Sequence, residues 1–214
     1  MPKTQKFVLL TDVVASRHIA ARKNFERRLS ETLKTVKDSL GTVFEGDIKR
    51  WKGLDEMAAL VRHPQRLYEV MSIVNTGIAP QKMRFVVVKG EVDLPAKSGD
   101  VSTADGPVFH QAVELMAALK KTGLQFDCAT GHAQKDELWR TQVNLLLLLK
   151  GSWTPQQQQV YSLYAKAGVQ EGVAKVLKIS QQAVSKTLKS IGAPQVRLLE
   201  KKVQNWTETE LIKL

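Results

Sequence analysis

The chain opens its hydrophobic pattern with FVLLTDVVAS at residues 7–16, a continuous apolar run holding one acid. Runs of this length that are rich in Val and Leu predict a buried strand. The period then changes. Ile19, Phe25, Leu29, Leu33, Val36 and Leu40 recur at steps of three or four, or sums of these, which marks one face of an amphipathic helix. Gly41 is placed to end it. Residues 42–53, TVFEGDIKRWKG, read as a short strand, a Gly-Asp turn and a second short strand. LDEMAALVRHPQRLYEVMSIVNTG has the helical period throughout, with Pro64 as a break or restart. MRFVVVKGEV at 83–92 is the clearest strand, and 93–106 is loop by composition. Pro107 and Gly123 frame a further helix, and LQFDCAT follows as a last strand.

This order, strand, helix, two strands, helix, strand, helix, strand, predicts an α+β protein. Its core is a ferredoxin-like or palm-like α/β sandwich of βαββαβ type, provided 42–53 forms the hairpin. Beyond residue 133 no strand pattern occurs. QKDELWRTQVNLLLLLKG is a helix ending at Gly151, and WTPQQQQVYSLYAKAG is another, with Thr154 as N-cap and Pro155 at its first position. The expected division is an α/β domain over 1–132, a connector or dimerisation helix over 133–152, and a small all-α domain over 153–214.

The all-α part carries VAKVLKISQQAVSKTLKSIG at 173–192. Val173, Ala174 and Leu177 form one apolar face. Ile179 follows a turn, and Val184 and Leu188 face the same core four residues apart. Two helices, a short turn and an apolar residue within it are the spacing of a helix-turn-helix. The second helix would start at Ser180 and expose Gln181, Gln182, Ser185, Lys186 and Lys189. Gln can pair bidentately with adenine, Ser can contact base edges or phosphate, and Lys neutralises phosphate. The N-terminal part of a recognition helix meets base edges, so Gln181, Gln182 and Ser185 are the expected readers, and Lys186 and Lys189 the phosphate contacts. The alternative is a helical hairpin that uses this surface for protein contacts. The segment resembles, over roughly 153–206, the helix-turn-helix domains of bacterial transcription regulators. It departs from them at Lys178, where the turn usually carries Gly. Lys must then adopt the left-handed conformation at some cost.

Charge sharpens this picture. The 214 residues hold 32 Lys and Arg against 21 Asp and Glu, a formal net charge of +11. Such an excess favours an anionic partner, double-stranded DNA first. The lone cysteine, Cys128, excludes an intrachain disulfide and is expected as a buried structural thiol in a cytoplasmic protein. Asp12 interrupts the N-terminal apolar run, which argues against a signal peptide. The five consecutive leucines of NLLLLLK fall far short of the ~20 apolar residues of a membrane span. The four histidines, His18, His63, His110 and His132, are scattered without metal-ligand spacing.

Two acids then ask for an explanation. Asp12 ends the first strand, and Asp47 sits at the expected Gly-Asp turn. In a palm-like fold these places approach one another, and paired carboxylates there can hold Mg²⁺ for phosphoryl transfer. Solvated strand-end acids are the alternative. Arg17 beside Asp12 could pair with it or grip a phosphate. Asp105 would cap the helix at 107 or help bind an anion at its N-terminus, and His110 is expected to be packed.

TDVVASRHIAARKNFERRL, EGDIKRWKGL, MRFVVVKGEV and ADGPVFHQA are similar, in this order, to blocks of the SatD family of bacterial proteins. The match spans about residues 7–130. That family also tends to carry a C-terminal helix-turn-helix, and its N-terminal domain resembles palm-like nucleotidyl cyclase and GGDEF folds. The resemblance implies Asp12 and Asp47 as counterparts of metal-binding acids, with Mg²⁺ or a nucleotide as the implied cofactor. The chain departs from the block GDEFQGL, reading GDIKRWKGL, so Ile48 replaces an acid and Lys49 and Arg50 add positive charge. The site therefore reads as degenerate, a ligand-binding or structural domain in preference to an enzyme.

The functional expectation is a cytoplasmic, homodimeric DNA-binding protein of the transcription-regulator class, with a ligand-sensing or dimerising α/β domain. The alternatives are a Mg²⁺-dependent nucleotide cyclase or nucleotidyltransferase using Asp12 and Asp47, and a non-catalytic protein–protein adaptor.

Overall fold

The computed structural model describes residues 4–52, 55–92, 101 and 106–211. Among these, five strands form one sheet: β1 (Thr4–Val13), β2 (Lys49–Lys52), β3 (Glu56–Val61), β4 (Met83–Val92) and β5 (Phe126–Ala129), in the order β2-β3-β1-β4-β5. The helices are α1 (Arg22–Leu40), α2 (Leu67–Ile78), α3 (Pro107–Thr122), α4 (Ala133–Gly151), α5 (Pro155–Ala167), α6 (Gln170–Leu177), α7 (Gln181–Ser190) and α8 (Ala193–Glu210). β1 lies antiparallel to both β3 and β4, β2 is antiparallel to β3, and β5 runs parallel to β4. The first four strands with α1 and α2 thus have ferredoxin-like βαββαβ connectivity, and α3 and β5 extend it. The protein is α+β.

The central strands β3, β1 and β4 are buried on both faces over most of their length, which explains why they read as apolar runs. Val8, Leu10, Ala58, Leu60, Val86 and Val88 pack with Val108, Phe109, Ala112 and Met116 of α3. Leu9, Val13, Met57, Ala59, Phe85 and Val87 pack on the other face with Phe25, Leu29 and Val36 of α1 and Val70, Met71 and Val74 of α2.

One element differs from the sequence expectation. The hairpin is not centred on Gly46-Asp47. Residues 41–43 form a 3-10 turn, Phe44 makes an isolated bridge to Val61, and the hairpin pairs β2 with β3. EMAALV, which has the helical period, is β3. All but its first residue are buried, because α helices cover both sides, and full burial erases the period-2 signal that would have marked a strand. Pro64, expected to break or restart a helix, instead opens a 3-10 turn over Pro64–Arg66 that leads from β3 into α2.

Sheet and C-terminal helices share one buried cluster. It runs from Leu9 and Phe85 through Trp139 and Val143 of α4 to Val160, Val173, Val184 and Val196 of the last four helices. α4 lies directly on β5. Trp139 is fully buried, edge-on to Phe126 at 4.9 Å. Asn144 Oδ1 accepts from the Gln125 and Phe126 backbone N–H groups at 3.1 and 3.0 Å, while Nδ2 donates to the Phe126 carbonyl at 2.8 Å. β5 is an edge strand, and this one amide occupies the backbone groups that Phe126 would otherwise leave open at the edge. Asp136 works alongside, accepting from the Thr130 N–H at 3.0 Å and the Thr130 hydroxyl at 2.6 Å. Asn144→Ala should cost about 2 kcal/mol, since it strands buried backbone groups. The check is urea unfolding, with a lower midpoint and an unchanged slope as the expected result.

Candidate functional site

The C-terminal helices build the geometry the sequence suggested. α6 ends at Lys178, which takes the left-handed conformation at φ 54° and ψ 41°. The Ile179 N–H closes the turn onto the Ala174 carbonyl at 3.1 Å, and Ile179 packs against the core. The cost of a left-handed Lys, about 1–2 kcal/mol, is carried by that packing. Ser180 caps α7, its hydroxyl accepting from the Ala183 N–H at 3.1 Å. Val184 and Leu188 are buried toward α5 and α6. Gln181, Gln182, Ser185, Lys186 and Lys189 are all exposed. α5 begins with a full capping box, Thr154 and Gln157 each bonding the other's backbone N–H.

The surface around α7 is basic. Lys175, Lys178, Lys186 and Lys189, on α6, the turn and α7, are exposed, and among the described residues only Lys175 of these four is held by an acid, Glu171 at 2.9 Å. Chains of free ammonium groups beside exposed amides form a surface that can meet phosphates and base edges together.

The α/β part places the other site residues differently. Asp12 lies at the end of β1, level with Glu56 and Arg84 in the sheet register. Leu10 is level with Ala58, and Ala58 with Lys49, so Asp47 lies beyond Lys49 in the direction away from Asp12. Asp47 is exposed and bound to Lys37 near the far end of α1, at 2.8 Å, and this hydrogen bond holds its carboxyl below the usual range. The fold does not bring Asp12 and Asp47 together. The pairing of β2 with β3 is the reason: it places Asp55 and Glu56, and not Asp47, beside Asp12.

Asp12 is buried in a cleft of about 500 Å³. Its Oδ2 accepts from Arg84 Nη1 at 2.9 Å, and its Oδ1 from Lys120 Nζ at 2.7 Å. Lys120 also reaches Glu56 at 3.4 Å. Burial alone would lower the Lys120 pKa, but the hydrogen bond and charge of Asp12, with Glu56, outweigh it and hold the ammonium above its usual value. Ser16 donates to Asp55 at 2.6 Å. Arg17 is exposed at the rim and does not pair with Asp12. The cations Arg17, Arg84 and Lys120 match the acids Asp12, Asp55 and Glu56 in number. Mg²⁺ does not fit these residues: both Asp12 oxygens are taken by cations, and the second expected carboxylate is at the other end of the sheet. Among the described residues no group of three or more His, Cys, Asp or Glu is arranged for a metal.

Asp105 lies outside the described residues. Gly106 occupies the N-cap of α3, at φ 138°, and His110, expected to be packed, is exposed. Cys128 is buried, and burial with the nearby Asp136 pushes its thiol well above the ordinary range, so it is no nucleophile.

A third constellation was not visible in the sequence. Glu200 of α8 is reached by Lys150 Nζ of α4 at 2.8 Å, by the Tyr68 hydroxyl of α2 at 3.0 Å and by the Tyr161 hydroxyl of α5. Lys150 also donates to Ser72 Oγ at 2.5 Å and sits over the rings of Tyr68 and Tyr161. Burial, then the Glu200 charge, pushes both phenols up, which keeps them protonated as donors. These residues are up to 132 positions apart, with no spacing that could announce them.

These features define an α+β protein that joins a ferredoxin-like sheet to a helix-turn-helix bundle. The chain belongs to the SatD family, whose model matches residues 7–205. No curated protein matches it. Among the described residues no helix is long and apolar enough to cross a membrane.

Proposed function

We propose that this protein binds double-stranded DNA through α7 and acts as a cytoplasmic transcription regulator, with the sheet domain sensing a ligand or supporting a dimer. The observation that carries this reading is the exposed face of α7. Two amides and a hydroxyl stand at its N-terminal turns, lysines follow, and the opposite face is locked down by Val184 and Leu188. That is how a recognition helix divides base reading from phosphate contact. Fluorescence anisotropy with the fragment upstream of the protein's own gene, against a scrambled fragment at two salt concentrations, tests it. Absence of DNA binding even at low salt would overturn it in favour of a protein-contact surface.

The second copy that paired half-sites require would meet α4. Opposite its buried face, Leu138, Leu145, Leu148 and Leu149 are 43, 63, 52 and 42% exposed. Four leucines on one outward stripe are costly in a monomer and suit a helix-on-helix contact. Leu145→Glu/Leu149→Glu should convert dimer to monomer in light scattering and weaken binding to a two-half-site fragment at least roughly tenfold. A wild-type protein that is monomeric while DNA-bound would sink the dimer.

The enzyme alternative gains nothing from Asp12, whose oxygens are both committed to Arg84 and Lys120.

A further inference from the structure

Between the sheet domain and the C-terminal helices lies a cavity of about 430 Å³, within the ~300–1,000 Å³ usual for small-molecule sites. Its wall comes from α2, the loop between α2 and β4, the end of α4, α5 and α8. Three features give it a chemical character. First, Lys82, Lys166, Arg197 and Lys201 line it, and among the described residues none of the four has an acidic partner. Its two carboxylates are already taken, Glu69 by Arg66 and Glu200 by Lys150. Second, Tyr68, Trp153 and Tyr161 supply aromatic wall. Third, Asn75 Nδ2 and Gln65 Oε1, both on lining residues, are buried without a hydrogen-bond partner. The Asn75 oxygen is already used by the Met83 N–H at 2.9 Å, so its NH₂ is the end left over. Buried polar atoms without partners are rare in folded proteins and call for an occupant.

We propose that this seam cavity binds an organic anion of mononucleotide size, its phosphate at the cations without an acidic partner and its aromatic body against the tyrosines and Trp153. The ligand would touch α2 and the Lys82 loop on one side and Arg197 and Lys201 of α8 on the other. α8 begins at Ala193, separated from the end of α7 by two residues. A ligand that bridges the seam favours one placement of the recognition helix over others, by as much as its affinities for those placements differ. That regulatory consequence rests on the DNA-binding reading; the binding site itself does not.

Calorimetry on the full chain tests the site with AMP and GMP, with inorganic phosphate as a separate arm. One nucleotide per chain should bind. Arg197→Gln/Lys201→Gln should weaken it at least roughly tenfold, through lost charge-assisted bonds, with the melting temperature unchanged. Arg17→Gln should leave it unaltered. No binding of either nucleotide at millimolar concentration overturns the proposal. So does binding that ignores the seam variant, or that is lost in Arg17→Gln, which would move the ligand to the Asp12 cleft. Phosphate binding as tightly as the nucleotides would overturn the aromatic half of the assignment. DNA affinity is then measured by anisotropy with and without nucleotide. An unchanged affinity removes the regulatory role and leaves the site, whereas a protein that binds nucleotide but no DNA separates failure of the function from failure of the site.

Discussion

Gln181→Ala/Gln182→Ala should abolish the preference for a specific DNA fragment while leaving general DNA binding in place. Each bidentate Gln–adenine pair contributes about 1–3 kcal/mol of discrimination, so losing two should lower specific affinity by roughly 30-fold or more. The slope of affinity against salt should stay the same, because neither amide neutralises a phosphate. Lys186→Ala/Lys189→Ala should do the reverse. Affinity should fall for every sequence alike, and the salt slope should shrink by about 2, near 0.9 for each lost phosphate contact. The fold should tolerate both variants, since all four side chains are exposed and α7 is held by Val184, Leu188 and the Ser180 cap. Circular dichroism and melting would confirm that. If the Gln variant keeps its preference for the specific fragment, α7 does not read bases.

Glu200→Ala should be among the most destabilising single changes in the protein, at about 3 kcal/mol. Its side chain is only 17% exposed, and removing it leaves the Lys150 ammonium, 13% exposed, without its carboxylate. Two tyrosine hydroxyls lose their acceptor in the same step. For a chain of this length, 3 kcal/mol lowers the melting temperature by roughly 6–12 °C. Glu200→Leu/Lys150→Met should recover much of the loss, because two apolar side chains need no partner. Partial exposure keeps the figure at the low end of what a buried pair costs. A shift of under about 2 °C in Glu200→Ala would show that solvent already screens the pair. Because one cluster joins sheet and helices, wild type and variant should both unfold in a single transition.

Much of this molecule follows from local pattern. Strand 83–92 was legible because ten residues of Val-rich sequence admit little else, and helix 107–122 because Pro107 and Gly123 bracket it. The helix-turn-helix was legible for the same reason: its cap, its turn and its apolar spacing lie within twenty consecutive residues. Even the left-handed Lys178 could be foreseen, since the motif demands that conformation whichever residue is present. Asp12 was legible as the acid ending a strand.

What the sequence could not decide is how distant segments meet. EMAALV carries a helical period, and only burial between two helical layers makes it a strand. That pairs β2 with β3, replaces Asp47 by Asp55 and Glu56 beside Asp12, and brings Arg84 and Lys120 onto Asp12 from strand and helix more than 70 residues away. The edge-capping Asn144 sits in a leucine run that looks only apolar, and the Glu200 network gathers four helices around one carboxylate. Caps, turns and periodicity are set by neighbours along the chain, so the sequence by itself determined the helix-turn-helix, the family and the order of most elements. Charge pairing and cavities are set by neighbours across it, and these only the tertiary structure decided.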